Sequence, residues 1–220
     1  MDKYLKEVAA KVGSCGTIPE MRAAFKKKHS FSNLAFREQL EIWEFIWKNT
    51  DNYRIKTQAF FYCEMHANKK ENAAHAWNKL KHWQNYVNDW PFCDGLSKIY
   101  TKHLELFPEE VFAQLKKWNT DKDLWKRRQS IVSLLYYERT KKVVLPYNKM
   151  LPLIDNLLHD DEYYVQKGVG WALRELHNAY PEKTFLYLQK NIKDISAIAF
   201  SSSREKLNAK QKNLLKALRK

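Results

Sequence analysis

A chain of 220 residues with only 5 glycines and 6 prolines has too few turn formers for a multi-turn β architecture, and it is long enough to bury a substantial core. Its 39 basic and 25 acidic side chains leave a formal charge of +14, more than solubility requires, so a polyanionic partner is the first expectation. Cys15, Cys63 and Cys93 are an odd set without paired spacing, which argues against a disulfide framework; no run is apolar enough to span a bilayer, and MDKYLKEVAAKVG lacks the pattern of a cleaved leader.

Helical periodicity runs the length of the chain. Tyr4, Leu5, Val8 and Val12 predict a short first helix, closed between Gly13 and Gly16. Pro19 suits the first turn of a second, which runs to the cluster Lys26, Lys27, Lys28. Ser32 or Asn33 is expected to cap NLAFREQLEIWEFIWKN, where Phe36, Leu40, Trp43 and Trp47 form an apolar stripe for packing. Asp51 opens a fourth helix through Tyr62. Cys63 and His66 form an isolated CEMH without the second ligand pair that structural zinc needs, so neither metal nor cofactor is expected. KENAAHAWNKLKHWQNYV supplies the fifth helix.

DWPFCD, residues 89–94, starts the next helix with Pro91 in its first turn and Leu96, Ile99 and Tyr100 further along. Trp90 and Asp94 are four residues apart and therefore share a face. An aromatic plate beside a carboxylate suits the sugar of a nucleotide whose phosphates are held by cations. The plainer alternative makes Trp90 core and Asp94 a first-turn charge. Gly95 weakens the helix by roughly 1 kcal/mol relative to alanine and would leave room for a ligand to approach.

Pro108, Glu109 and Glu110 start a helix expected to end near Asn119. Asp123 opens another, with Leu124, Ile131, Leu134 and Leu135 inward and Trp125 and Arg128 one turn apart. A short helix lies around Pro146 and Pro152. Asp160 or Asp161 is expected to cap a long helix through Leu176, in which Lys167 and Trp171 repeat the Trp90 to Asp94 spacing with ring and charge exchanged. Pro181 begins a further helix. The final REKLNAKQKNLLKALRK carries seven basic residues against one acid, with Leu207, Leu214, Leu215 and Leu218 on one face; its cations suit phosphates or simply solvation.

Acidic helix starts recur at Asp51, Asp89, Asp123 and Glu162. Five residues after each stand Lys56, Asp94, Arg128 and Lys167, at separations of 38, 34 and 39 residues. That period predicts an all-α solenoid of HEAT-like antiparallel helix pairs, one domain over residues 1–220 with a concave basic face. Equivalent positions of such a solenoid line up along one surface. Here that row would hold three cations interrupted by a single acid.

DWPFCDGLSK, DLWKRRQSIV and EYYVQKGVGWALREL resemble the AlkD-like DNA alkylation repair family, from about residue 89 to the end of the chain. In that family a Trp with an Asp four residues later, an Arg three residues after a helix-starting Trp, and the Trp of a GW-x-LRE helix line a DNA-binding cleft. Those positions match Trp90, Asp94, Arg128 and Trp171. The resemblance implies a monofunctional glycosylase that releases cationic N3- or N7-alkylated purines from double-stranded DNA without flipping the base into a pocket. The amino-terminal third departs from the family: SNLAFREQLEIW lacks its glycine- and proline-bearing motif, and Ala24 or Phe25 stands where a tyrosine is common.

A cationic purine leaves as a neutral base, so one carboxylate suffices where ordinary glycoside hydrolysis uses two. Asp94 would face the developing sugar cation and orient or deprotonate water, flanked by the electron-rich rings of Trp90 and Trp171. Arg128 would grip a phosphate, with Lys56 and Lys167 extending the track and Arg127, Lys26 and Lys27 as weaker contacts. The plain alternative for Arg128 is a surface charge paired with Asp123 or Glu138. No membrane and no obligate protein partner are implied, and the expected setting is a monomer in the cytoplasm, associated with the nucleoid through DNA. A non-catalytic HEAT-repeat protein binding damaged or branched DNA is the main competing reading, and a protein-binding scaffold is another. A carboxylate facing DNA repels phosphate unless it has chemical work, which counts against the first; competition by an acidic protein rather than duplex DNA for the basic face would mark the second.

Overall fold

Caps and prolines set the helix boundaries in the computed structural model, which describes all of residues 1–220. The fold is all-α, a succession of HEAT-like helix pairs in two compact units, Met1–Leu106 and Phe107–Lys220. The first unit holds α1 (Asp2–Val12), α2 (Ile18–Lys26), α3 (Phe36–Lys48), α4 (Tyr53–His66), α5 (Lys70–Trp83), a single 3₁₀ turn (Gln84–Tyr86) and α6 (Trp90–Leu106). The second holds α7 (Pro108–Asn119), α8 (Leu124–Val132), α9 (Tyr137–Thr140), α10 (Tyr147–Asp155), α11 (Tyr163–Ala179), α12 (Pro181–Lys190), α13 (Ala197–Ser203) and α14 (Ala209–Arg219). No helix is long and apolar enough to cross a membrane.

Aromatic side chains fill the first core. Trp47 and Trp83 stack with centroids 5.2 Å apart, and the Trp47 indole N–H donates to the Trp83 carbonyl at 2.9 Å. Tyr100 lies edge-on to Trp77 at 5.5 Å and donates to the Leu80 carbonyl at 2.6 Å. Trp43, Trp47, Trp77, Trp83 and Trp118 are all buried, so most of the tryptophans are packing material. Each apolar ring removed from water contributes on the order of 2 kcal/mol.

In the second unit α11 is the central element, with Val165, Val169, Leu173 and Leu176 buried. It packs against α8 and α13. A Cβ at Gly170 would lie 2.5 Å from the Ala199 carbonyl oxygen of α13, so the absence of a side chain is what lets these helices meet. The three cysteines are unbridged; Cys63 and Cys93 are buried, and burial pushes the Cys63 thiol pKa well up.

Several boundaries differ from the expected ones, each through a competing hydrogen bond. Helix α3 starts at Phe36 because Glu38 reaches back to the Ala35 N–H at 3.0 Å, while Ser32 Oγ accepts from the His29 N–H at 2.8 Å instead of capping. Asn52, not Asp51, caps α4, accepting from the Arg54 N–H at 3.0 Å. Glu162 occupies the position before α11, and Asp160 Oδ1 accepts its N–H at 3.0 Å. Helix α13 was not legible in the hydrophobic pattern; Ser196 starts it by accepting from the Ala199 N–H at 3.0 Å. The terminal helix begins only at Ala209, where Asn208 and Gln211 cap one another, and Leu214 and Leu218 stay exposed while Leu215 is buried.

Candidate nucleic-acid interface

Helix α6 carries the first group. Asp89 Oδ1 accepts the Trp90 N–H at 2.7 Å, which fixes the helix start and with it the direction of every side chain that follows. Phe92, Cys93 and Leu96 turn into the core. Trp90 and Asp94 turn the other way, the ring 48% exposed and the carboxyl exposed as well. Their spacing puts them on one face. A large ring left in water beside an acid is not core packing, and the plainer reading of Trp90 fails.

Gly95 has a different role from the one expected. A Cβ there would sit 2.4 Å from the Phe60 ring, so the glycine admits α4 against α6 and makes no room for a ligand. Lys56 also departs from expectation. It is 1% exposed, its Nζ lies 3.2 Å from Asp51 and 2.8 Å from the Tyr86 carbonyl, and it is not presented to phosphate. The Nζ sits over the rings of Trp47 and Phe92 at 4.6 and 4.5 Å. Burial draws its pKa below that of a free lysine, opposed by Asp51. The cause is the burial of α4, in which every residue from Ile55 to Cys63 is buried; Thr57, five residues after the actual cap Asn52, is also buried and donates to the Tyr53 carbonyl at 2.6 Å, so neither choice of cap brings this position to the surface.

The second group lies at the amino ends of α8 and α11. Asp123 caps α8 through the Trp125 N–H at 2.8 Å, and Trp125 packs on Tyr164 with centroids 5.0 Å apart. Arg128 is 6% exposed; it crosses α11 at Gly168, where its Cγ lies 3.3 Å from an ideal Cβ, and donates to the Tyr164 carbonyl at 2.7 Å. Asp123 caps the helix and Glu138 pairs with Lys206 at 2.9 Å. Arg127, expected as a weak DNA contact, is held within the protein. Its Nε and Nη2 meet the Asp160 carboxylate at 2.6 and 3.3 Å, and its Nη1 donates to the carbonyls of Asp121 and Lys122.

Lys167 is exposed, its Nζ 5.9 Å from the Tyr163 ring centre. Trp171 is half-buried, edge-on to Tyr136 at 5.3 Å, with the Arg174 guanidinium 5.8 Å from its ring. Arg174 is itself fixed by Glu205 at 2.7 Å and Glu175 at 3.3 Å. The expectation from sequence missed Tyr163 and Tyr164, 51% and 36% exposed, which extend this aromatic and basic surface. The signal was present as two large rings directly after an acidic helix start in EYYVQK. No three His, Cys, Asp or Glu side chains gather as a metal site.

Comparison with known proteins agrees with this arrangement of helices. A family model described as DNA alkylation repair enzyme matches residues 1–207. The crystal structure of AlkD2 from Streptococcus mutans is similar in fold, with a TM-score of 0.56 and 18% identity over 99% of this chain and 96% of that one. Smu.31 from Streptococcus mutans UA159 is similar with a TM-score of 0.50 and 20% identity, covering 99% and 92% of the two chains. Among curated protein sequences none matches.

Proposed function

Because this chain belongs to the DNA alkylation repair enzyme family, and is therefore a repair enzyme whose partner is DNA, we propose that it is a monofunctional glycosylase. It hydrolyses the N-glycosidic bond of cationic N3- or N7-alkylated purines in duplex DNA. The observation that carries this reading is the outward pair on α6, Trp90 and Asp94, both open to solvent at the start of a helix whose other side is core.

The alkylated base already bears the charge that a leaving group needs, so the protein has only to stabilise the sugar as the bond lengthens. A carboxylate about 4 Å from a developing cation, at an effective dielectric near 20, contributes about 4 kcal/mol, roughly a thousandfold in rate. Covering Asp94 with a duplex displaces water and moves it towards that regime. The same oxygen accepts a proton from the attacking water. Trp90 offers its ring face to the sugar cation, contributing about 1 kcal/mol, and Trp171 belongs to the aromatic and basic surface of the second unit. Lys167 contacts phosphate directly. Arg128 contributes by fixing the start of α11 through the Tyr164 carbonyl, in the turn that carries Tyr163 and Tyr164.

The test is release of free base from methylated duplex DNA, read by mass spectrometry, with Asp94→Asn beside the wild type. Release of 7-methylguanine or 3-methyladenine by the wild type, lost in the variant with DNA binding retained, is the expected result. Equal release by both proteins removes Asp94 from the chemistry. Binding without release by either identifies a DNA-binding protein without glycosylase activity.

A further inference from the structure

One stripe of α6 is open to solvent over its first turns. Trp90, Asp94 and Lys98 follow one another along it at helical spacing, while Phe92, Cys93, Leu96 and Ser97 between them are buried. Lys98 therefore stands one turn beyond the acid assigned to the sugar, and an acid followed by a lysine in this order is the favourable arrangement for an ion pair within a helix. Such a pair would set an ammonium beside the carboxylate that has to face a developing cation, and would cancel part of its effect.

The ion pair that Lys98 makes is instead with α4. Its Nζ bonds Glu64 Oε1, and Glu64 Oε2 accepts from the Arg22 guanidinium of α2 at 2.7 Å. Arg22 is fixed in turn, its guanidinium 4.1 Å from the centre of the Phe61 ring. A single carboxylate thus joins cations from the two helices, α2 and α6, that pack on α4. Partial burial raises the Glu64 pKa, but the bonds from Lys98 and Arg22 outweigh it and hold the group below the ordinary carboxylate range. An isolated exposed pair holds its side chains weakly, whereas a network of charges backed by a ring holds them in place.

From this arrangement we infer that Glu64 is a positioning residue for base release: it draws the Lys98 ammonium off the Asp94 carboxylate and so keeps that charge for the sugar. The inference rests on the reading of Asp94 proposed above. At roughly a thousandfold in rate for the carboxylate, an ammonium moved beside it and covered by a duplex is expected to cancel about tenfold.

Single-turnover release of 7-methylguanine from methylated duplex DNA, at saturating protein, tests this in Glu64→Ala, Lys98→Met and the double variant, with Asp94→Asn as the reference and thermal melts to show that each is folded. Glu64→Ala should release base about tenfold more slowly than the wild type. Lys98→Met should match the wild type, and so should the double variant, because without the lysine there is nothing to hold away. A crystal structure of Glu64→Ala should show Lys98 Nζ within about 4 Å of an Asp94 oxygen; an ammonium elsewhere overturns the inference.

Three kinetic results, each with Asp94→Asn inactive, overturn it and leave the Asp94 reading intact. The first is wild-type release by Glu64→Ala. The second is a slow Glu64→Ala that the added Lys98→Met does not rescue, which assigns Glu64 a structural role. The third is a faster Lys98→Met whose factor multiplies with that of Glu64→Ala, the mark of two charges acting separately through space. No release by the wild type, or equal release by Asp94→Asn, removes the Asp94 reading itself, and this inference falls with it.

Discussion

The ammonium of Lys56 lies 4.5 Å from the ring centre of Phe92, the residue midway between Trp90 and Asp94. A buried cation, its bond to the Tyr86 carbonyl and the ring above it thus tie α4 to the first turn of the helix that presents the outward pair. Lys56 is a positioning residue, and its variant should behave as one. Lys56→Ala is expected to lower stability by about 2–3 kcal/mol through the lost packing and the unpaired carbonyl. Well below the melting temperature its affinity for duplex DNA should equal the wild type's. Urea unfolding beside a binding titration reads both, and a large loss of affinity with unchanged stability would return Lys56 to the phosphate track.

Trp90 presents the opposite case. It is 48% exposed, so Trp90→Ala should change stability by less than about 0.5 kcal/mol. Loss of its ring face should slow base release by roughly fivefold, the rate equivalent of about 1 kcal/mol at the transition state. Single-turnover kinetics on methylated DNA measure this, and an unchanged rate would confine Trp90 to a binding role or none.

Arg128 and Lys167 should separate in the same manner. Arg128→Ala removes a nearly buried guanidinium that bridges α8 to the Tyr164 carbonyl, and is expected to cost about 2 kcal/mol of stability as well as affinity. Lys167→Ala removes an exposed cation. It should leave stability unchanged and reduce the slope of log affinity against log salt by about 1. Binding titrations at several salt concentrations, set beside melting curves, distinguish the two.

How far the sequence was legible depends on what set each feature. Pro108 and Pro181 begin α7 and α12 where expected, because a missing N–H and a fixed φ act locally and are written in one residue. That Trp90 and Asp94 share a face followed from helical spacing, whereas the outward direction of that face is seen only in the structure, where Trp90 is exposed. The row of equivalent positions failed at Lys56 because α4 is buried from Ile55 to Cys63, so the position lies in the core whether Asp51 or Asn52 is taken as the cap. That burial is set by the helices packed around α4, which the segment does not encode by itself. The internal pairing of Arg127 was equally hidden, since Asp160 lies 33 residues away. Nothing in a chain pattern separates an arginine that meets phosphate from one that meets its own carboxylates.

Glu7 supplies a prediction in pH. Partial burial pushes its pKa up, but hydrogen bonds from Lys11 and Ser30 outweigh that and hold it at about 2, below the ordinary 4.5. A carboxylate depressed in the folded state stabilises it above the unfolded pKa, and the contribution is lost as pH falls through the folded one. Glu7→Gln should therefore be less stable than the wild type by about 1–2 kcal/mol at neutral pH. The gap should narrow below pH 4.5 and close near pH 2, as thermal melts across that range would show; a gap that persists at the acid end would assign the effect to packing.

The electrophiles that methylate purines also attack sulfur, and they do so through the thiolate. Cys63 and Cys93 lie out of contact with solvent, and Cys63 is further protected because its proton is held more firmly than that of a free thiol. Only Cys15 is open enough to react. A repair protein arranged in this way does not become a casualty of the exposure that creates its substrate, and its core sulfurs should remain unmodified at doses that saturate Cys15.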